Sequence, residues 1–333
     1  MIKKIMNIKN LNFAVVGSGS IGLRHTKNLK HLGATKISVF DPDKKRKPFV
    51  EELGFNFVTK FEDLRDQNID IALICTPPYL HLTYLDKLMS FNANVFIEKP
   101  LSHSYEQAKK LYKRIKNYPK FITIGFNWRF HESMIKVKEL LNNGYIGKPL
   151  IGIFESGQYL ANWRPTTDYR KGYFAKKETG GGIISDGCHE IDIATWLLGS
   201  PSSIISIKSK VSDLEIETED TAIILLETES NKLIEIHLNA VEKGYARNSK
   251  IIGENGTITW DFLEGVKISS DAMNETYKLT PDTNEMYVDE LRNFINNVIK
   301  SKSPSISYER GLEIQKIIYS AHLSAEKGKK ILM

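Results

Sequence analysis

Three stretches of the 333-residue chain carry residue types at spacings that could do chemistry. The first is Glu98-Lys99-Pro100, which ends the apolar run Val95 to Ile97. Burial penalises an ammonium group, so a lysine at the end of a buried strand can become a usable acid or base. Pro100 has no N–H to donate and stops the strand, and the Lys99–Pro100 bond is a candidate for the cis form. The second stretch is Gly180-Gly-Gly182 followed by Asp186, His189 and Asp192. Read as one helix from about Ile183 to Leu198, it puts Asp186 in the first turn and on the same face as His189. Histidine titrates near neutral pH, and the glycines let a ligand come close to the backbone. The third is the loop Asn162 to Lys171, where Arg164, Tyr169 and Arg170 suit a carboxylate or phosphate. Trp128 and Arg129 are candidates to line the same site, whereas Cys188 reads as a small buried filler. Each stretch also has a plainer reading: a solvated turn, a helix start with a core histidine, a polar loop. The surrounding elements decide between the two.

Leu11 to Val16 reads as a strand, and Gly17-Ser18-Gly19-Ser20-Ile21-Gly22 follows at once, with a helical pattern running on to Gly33. Strand, glycine loop and helix together are the setting in which this spacing cradles a pyrophosphate. A second strand, Lys36 to Phe40, ends in Asp41, about 20 residues beyond the loop, where a carboxylate meets ribose hydroxyls and repels a 2′-phosphate. That favours NAD(H), although Lys44, Lys45 and Arg46 behind it leave NADP(H) open. Ile69 to Cys75 reads as a buried parallel strand breaking at Thr76-Pro77-Pro78, and Lys120 to Gly125 as another. Helices are expected around Phe49–Leu53, Phe61–Asp66, Leu80–Met89 and Tyr105–Lys116. Strands alternating with helices imply an α/β, Rossmann-type doubly wound parallel sheet over residues 1–127. Its ligand edge offers Gly17, Ser18, Gly19, Ser20, Ile21, Gly22, Asp41, Thr76, Pro77, His81, Glu98, Lys99 and Asn127 to a dinucleotide.

After Trp128 the pattern changes. A helix near Glu132–Leu141 and a strand near Lys148–Gln158 precede the polar loop. Strands then follow at Ile204–Val211, Thr221–Thr228, Lys232–Ala240, Ser249–Ile252 and Thr257–Phe262, with a hairpin turn at Glu254-Asn255-Gly256. Residues 128–333 are expected to form an α+β domain with a broad, largely antiparallel open sheet. Helices near Asn284–Lys300 and Tyr308–Glu326 close it, and the last of them is a candidate to return to the first domain.

Composition narrows the function classes. Hydrophobic residues at 41% and charged residues at 26% fit a globular chain. The net charge of +6 is modest, and Lys44 to Lys47 reads as a solvated run, so no nucleic-acid partner is expected. No stretch reaches the apolar length of a membrane span and no cleavage pattern follows the first residues. Two cysteines argue against a disulfide framework or a Cys-based zinc site and fit a reducing cytoplasm.

Four signatures together resemble the Gfo/Idh/MocA oxidoreductases over nearly the whole chain. They are the Gly17 loop with Arg24-His25 behind it, Glu98-Lys99-Pro100, Gly125-Phe-Asn-Trp-Arg129, and the run from Gly180 through Asp186, His189 and Asp192. The resemblance implies hydride transfer between NAD(P) and a carbinol carbon of a sugar, sugar acid or nucleotide-sugar. It implies Lys99 as the catalytic lysine, Asp186 and His189 as its partners, and a homodimer or homotetramer through the C-terminal sheet. Many members place the histidine four residues after the aspartate; here the spacing is three. A subgroup with similar Asp-x-x-His and Trp-Arg-Pro segments is associated with surface-polysaccharide and sialic-acid-like sugar pathways. On this reading Lys99 polarises the reacting oxygen and His189 carries its proton. Two alternatives stand beside it: glycoside cleavage by transient oxidation and elimination, and a dinucleotide-binding regulator without catalysis.

Overall fold

The computed structural model describes residues 7–165, 167–279 and 283–333. Its first unit comprises residues up to Asn127 together with Asn284–Glu313. The strands are β1 (Asn12–Val16), β2 (Lys36–Phe40), β3 (Asn56–Val58), β4 (Ile71–Ile74), β5 (Asn94–Glu98) and β6 (Ile122–Gly125). Helices α1 (Ser20–His31), α2 (Lys47–Glu51), α3 (Pro78–Met89) and α4 (Tyr105–Ile115) connect them, with 3-10 turns at Lys44–Arg46 and Phe61–Gln67. The order β3-β2-β1-β4-β5-β6 is all parallel. β4 and β5 are buried along their whole lengths, as the continuous apolar runs require of strands covered on both faces. Strand order reverses beside β1, so the ends of β1, β4 and β5 gather at the edge where such sheets bind ligands.

The second unit holds residues 128–283 and 314–333. It contains α5 (Glu132–Asn142), β7 (Pro149–Gln158), α6 (Leu160–Trp163), α7 (Ile183–Asp186), α8 (Cys188–Leu198), β8 (Pro201–Ser209), β9 (Thr221–Thr228), β10 (Leu233–Asn239), β11 (Tyr245–Gly253), β12 (Gly256–Asp261), β13 (Gly265–Ser270) and β14 (Asn274–Tyr277). Helices α9 (Glu285–Ile299) and α10 (Tyr308–Lys327) and the short β15 (Ile331–Leu332) end the chain. The nine-stranded sheet runs β14-β13-β12-β11-β7-β10-β9-β8-β15. Among the described residues of this sheet, only β7 and β10 pair in parallel. On β9 every second residue is buried, the alternation of a sheet with one face covered.

Several expectations need correction. The helix expected from Ile183 to Leu198 is two helices, broken at Gly187. A Cβ on Gly187 would lie 2.5 Å from Leu238 Cδ1, so the break lets the chain pass close over β10. Asp186 therefore ends α7 and His189 lies in the first turn of α8. The three-residue edge strand β3 and the polar strand β14 carry too little apolar alternation to be read from sequence, and β13, whose Val266 and Ile268 alternate with polar residues, was missed. Residues 284–313 were expected in the second domain, but their contacts place them in the first unit: Leu291, Phe294, Ile295 and Val298 of α9 join the core formed by β1, β2, β4 and α1. The first turn of α10 also packs there, with Tyr308 donating its hydroxyl to the Ala108 carbonyl at 2.9 Å. Its later residues belong to the second unit.

Helix α1 approaches the glycine loop so closely that a Cβ on Gly22 would lie 1.9 Å from the Gly17 carbonyl oxygen. At Gly19 nothing comes within 4 Å of the same position, and φ is an ordinary −65°. Gly22→Ala is expected to destabilise the protein by about 1–3 kcal/mol, as overpacking does, and Gly19→Ala to leave stability unchanged. Denaturant midpoints of the two purified variants check this contrast.

Candidate functional site

In the first unit, Gly17 holds φ at +96° with its α-carbon against the backbone of Cys75, where a Cβ would meet atoms at 3.0 Å. The N-cap residue Gly19 supplies no side-chain bond to α1, so the N–H groups of Ser20 and Ile21 remain for an anion, aided by the helix dipole. Asp41 is already in place: Oδ2 accepts from Ser18 N at 2.8 Å and Ser18 Oγ at 2.9 Å, while Oδ1 accepts from Asp43 N at 2.9 Å. Thr76 Oγ1 and both polar atoms of the Asn127 amide are buried with no hydrogen-bond partner among the described residues. Buried polar groups left this way point to a missing partner. These features fit a bound dinucleotide, with the pyrophosphate at the Gly17 loop, the adenosine ribose at Asp41 and amide or hydroxyl contacts at Thr76 and Asn127.

The end of β5 is held from two sides. Glu98 Oε1 lies 2.5 Å from Nε2 of His25 on α1, and Glu98 Oε2 accepts the Lys99 N–H at 3.2 Å. The Lys99–Pro100 peptide is cis. His81 on α3 bridges the neighbouring turns, with Nδ1 2.9 Å from the Pro100 carbonyl and Nε2 2.8 Å from the Thr76 carbonyl. Burial lowers its pKa while the two carbonyls oppose that shift. Pro77 precedes α3 in an extended conformation. The Cys75 thiol, fully buried and facing the Glu98 charge, is pushed well above its usual range and is inert as a nucleophile.

In the second unit, the glycine run forms a tight turn into α7. Gly182 has φ +101°, and a Cβ there would lie 2.3 Å from the Glu219 carboxylate. Glu219 caps this turn through the Ile184 N–H, and burial raises its pKa. Tyr173 donates its hydroxyl to Asp186. His189 is buried at the start of α8. Further along that helix, Asp192 accepts two donors of Arg129, Nε at 2.7 Å and Nη2 at 2.6 Å.

The structure brings the predicted side chains into different situations. Arg129 is tied to Asp192. Trp128 is buried, stacked on His131 and edge-on to Trp260. Arg247, over the Trp128 ring at 3.8 Å, pairs with Glu190. Arg170 is bound to Asp168 and Glu215, and the Tyr169 hydroxyl accepts from Glu215 N at 3.4 Å. Arg164 is exposed. Sequence reasoning missed Tyr173 and Glu219, whose only signal was their closeness to the glycine run in the fold. It also left His25 unassigned, although it sits one turn after Gly22 and so faces the same strand ends.

Comparison with known proteins agrees with this geometry. Residues 11–126 match the model of the Gfo/Idh/MocA oxidoreductase family, NAD-binding Rossmann fold. Residues 134–259 match a Gfo/Idh/MocA C-terminal domain. The chain is 28% identical over 338 residues to the myo-inositol 2-dehydrogenase of Thermotoga maritima, covering 96% of this chain and 98% of that one. It is 27% identical over 194 residues to a 2,7-anhydro-N-acetylneuraminate hydratase of Mediterraneibacter gnavus, covering 58% and 50% of the two chains. A levoglucosan dehydrogenase in complex with NADH and levoglucosan has the same fold, with a TM-score of 0.87 at 18% identity over 97% of this chain and 99% of that one. With an NAD-binding Rossmann unit, a cradle that fits the cofactor and a matching second domain, the chain belongs to the Gfo/Idh/MocA family of oxidoreductases.

Proposed function

We propose that the protein is an NAD-dependent dehydrogenase or reductase acting on a carbinol carbon of a sugar, sugar acid, nucleotide-sugar or cyclic polyol. The observation that carries this reading is a lysine fixed at the end of β5, beside a built dinucleotide cradle, in a chain that also keeps Asp186 and His189. NAD⁺ supplies the hydride acceptor; the protein supplies orientation and proton handling. In this reading Lys99 binds and polarises the reacting oxygen and His189 takes the hydroxyl proton as the carbonyl forms. Asp186, held by Tyr173, orients the sugar or His189. Arg164 and Tyr169 meet an acidic or phosphorylated group on the substrate, while Arg129 and Arg170 act through the carboxylates they already bind. The myo-inositol dehydrogenase relative supports a polyhydroxylated ring as substrate, and a surface-glycan pathway is the finer form of the proposal.

A second reading is favoured by the hydratase relative: transient oxidation of a sugar carbon followed by elimination or addition, with the cofactor regenerated in each cycle. Nicotinamide absorbance separates the two. Purified protein with NAD⁺ and a panel of inositols, hexoses, uronates, nonulosonates and nucleotide-sugars is expected to show net NADH formation with at least one. No net absorbance change, with chromatography showing a substrate consumed, would favour the second reading. In the active assay Lys99→Ala is expected to lower kcat on the order of 10²–10⁴-fold while NAD⁺ affinity stays within about threefold, since the Gly17 loop and Asp41 that hold the rest of the dinucleotide are untouched. Retained turnover would remove Lys99 from the mechanism.

Asp41 governs cofactor choice in this proposal. Replacing its carboxylate in Asp41→Ala removes repulsion of a 2′-phosphate, and the ratio of kcat/KM for NADP⁺ over NAD⁺ is expected to rise on the order of tenfold. An unchanged ratio would assign the preference to other residues.

The open face of the second unit's sheet supports self-association. Ile205 pairs across to Leu225, and Ile207 to Ile223. Leu233 on β10 faces Ile151 on β7, and these six side chains are exposed, Ile207 at 70%. An apolar row of this extent marks an interaction surface; we propose a homodimer or homotetramer through it. Light scattering is expected to give a multiple of the chain mass, and the double variant Ile207→Asp with Leu225→Asp to give the monomer. A monomeric wild type at micromolar concentration would end the proposal.

A further inference from the structure

Glu98 is the charge nearest in sequence to Lys99, and it is buried, with 8% of its surface exposed. Its carboxylate is held between His25 Nε2 at 2.5 Å and the Lys99 N–H at 3.2 Å. Because Nε2 faces an anion, that nitrogen carries a proton. The other ring nitrogen, Nδ1, is buried without a partner among the described residues. The Glu98 carboxylate, met by these two donors, thus stands next to the lysine at the end of β5.

That charge is felt around the strand ends. After burial, it is the next cause that raises the Cys75 thiol and the Tyr287 hydroxyl. Tyr287 packs edge-on to the His25 ring at 5.9 Å and under the Arg24 guanidinium at 4.6 Å. The oxidised nicotinamide ring is a cation, the reduced ring is neutral, and both would lie beside the Lys99 ammonium. Two cations at such a spot repel unless an anion offsets one of them.

We propose that the His25–Glu98 pair is a charge-balancing device that lets the Lys99 end of β5 accept the cationic NAD⁺ ring, and so sets the relative affinity for NAD⁺ and NADH. His25 is the positioning residue: placed one turn after Gly22, it links the helix that cradles the pyrophosphate to the strand that carries Lys99. The inference rests on the proposed function in placing the nicotinamide ring at this strand end.

The test is a binding measurement, independent of turnover. NADH is titrated by its own fluorescence, NAD⁺ and ADP-ribose by competition against it. Glu98→Gln keeps the shape, and His25 can change tautomer to meet the amide. It is expected to raise the ratio Kd(NAD⁺)/Kd(NADH) on the order of tenfold and to leave ADP-ribose, which lacks the ring, unaffected. Glu98→Asp, which keeps the charge, should restore the wild-type ratio. Lys99→Ala, which removes the opposing cation, should move the ratio the opposite way by about threefold; that variant decides the matter if Glu98→Gln does not fold. An unmoved ratio, or equal loss of NAD⁺, NADH and ADP-ribose, would overturn the inference while leaving the proposed function standing. A wild type that binds neither nucleotide would overturn both.

Discussion

A buried carboxylate cannot stand alone in a protein interior, and the contacts Glu98 must make to be tolerated organise the ligand edge of the first unit. Its two oxygens are met by His25 from α1 and by the Lys99 N–H from its own strand. His25 reaches it from α1, which lies close against the glycine loop. That closeness rests on Gly22, where a side chain would collide with the Gly17 backbone. One contact thus joins the phosphate cradle, the helix behind it and the lysine-bearing strand end. His81 makes the corresponding tie between the turn after β4 and the turn after β5. Together these ties hold the backbone on both sides of Lys99.

Much of the first unit was legible in the sequence because its signals are local. A continuous apolar run such as Ile71 to Ile74 has one stable home, a strand covered on both faces. A glycine loop between a strand and a helix has few other uses, and Asp41 follows at the spacing that the next strand imposes. Glu98-Lys99-Pro100 was legible for the same reason: the strand must end where proline stands. What escaped were partners brought together by the fold. No spacing rule connects His25 with Glu98, 73 residues apart, or sends α9 back to the first unit after strands β7 to β14 of the second sheet.

The second unit was harder to read, and its corrections share one cause. Asp186 and His189 look like one helical face because three residues separate them, but Gly187 must pass over Leu238 of β10 and the helix breaks there. Tertiary packing overrode local periodicity. The arginines teach a similar lesson. Guanidinium groups in an aromatic, polar loop suggest a ligand anion, yet Arg129 and Arg170 find carboxylates of their own chain first. A charged side chain that is half withdrawn from water takes the nearest good partner, and sequence alone does not say whether that partner is a substrate or Asp192.

The three-residue spacing between Asp186 and His189 acquires a physical meaning from the break. On an unbroken helix, positions three apart lie side by side and an aspartate would bear directly on the histidine. Here Asp186 closes α7, where Tyr173 donates to it, and His189 opens α8 beyond Gly187. The two residues thus belong to two short helices rather than to one. The Gly182 turn, pinned by Glu219, fixes the start of the first, and the packing of Gly187 on β10 fixes the start of the second.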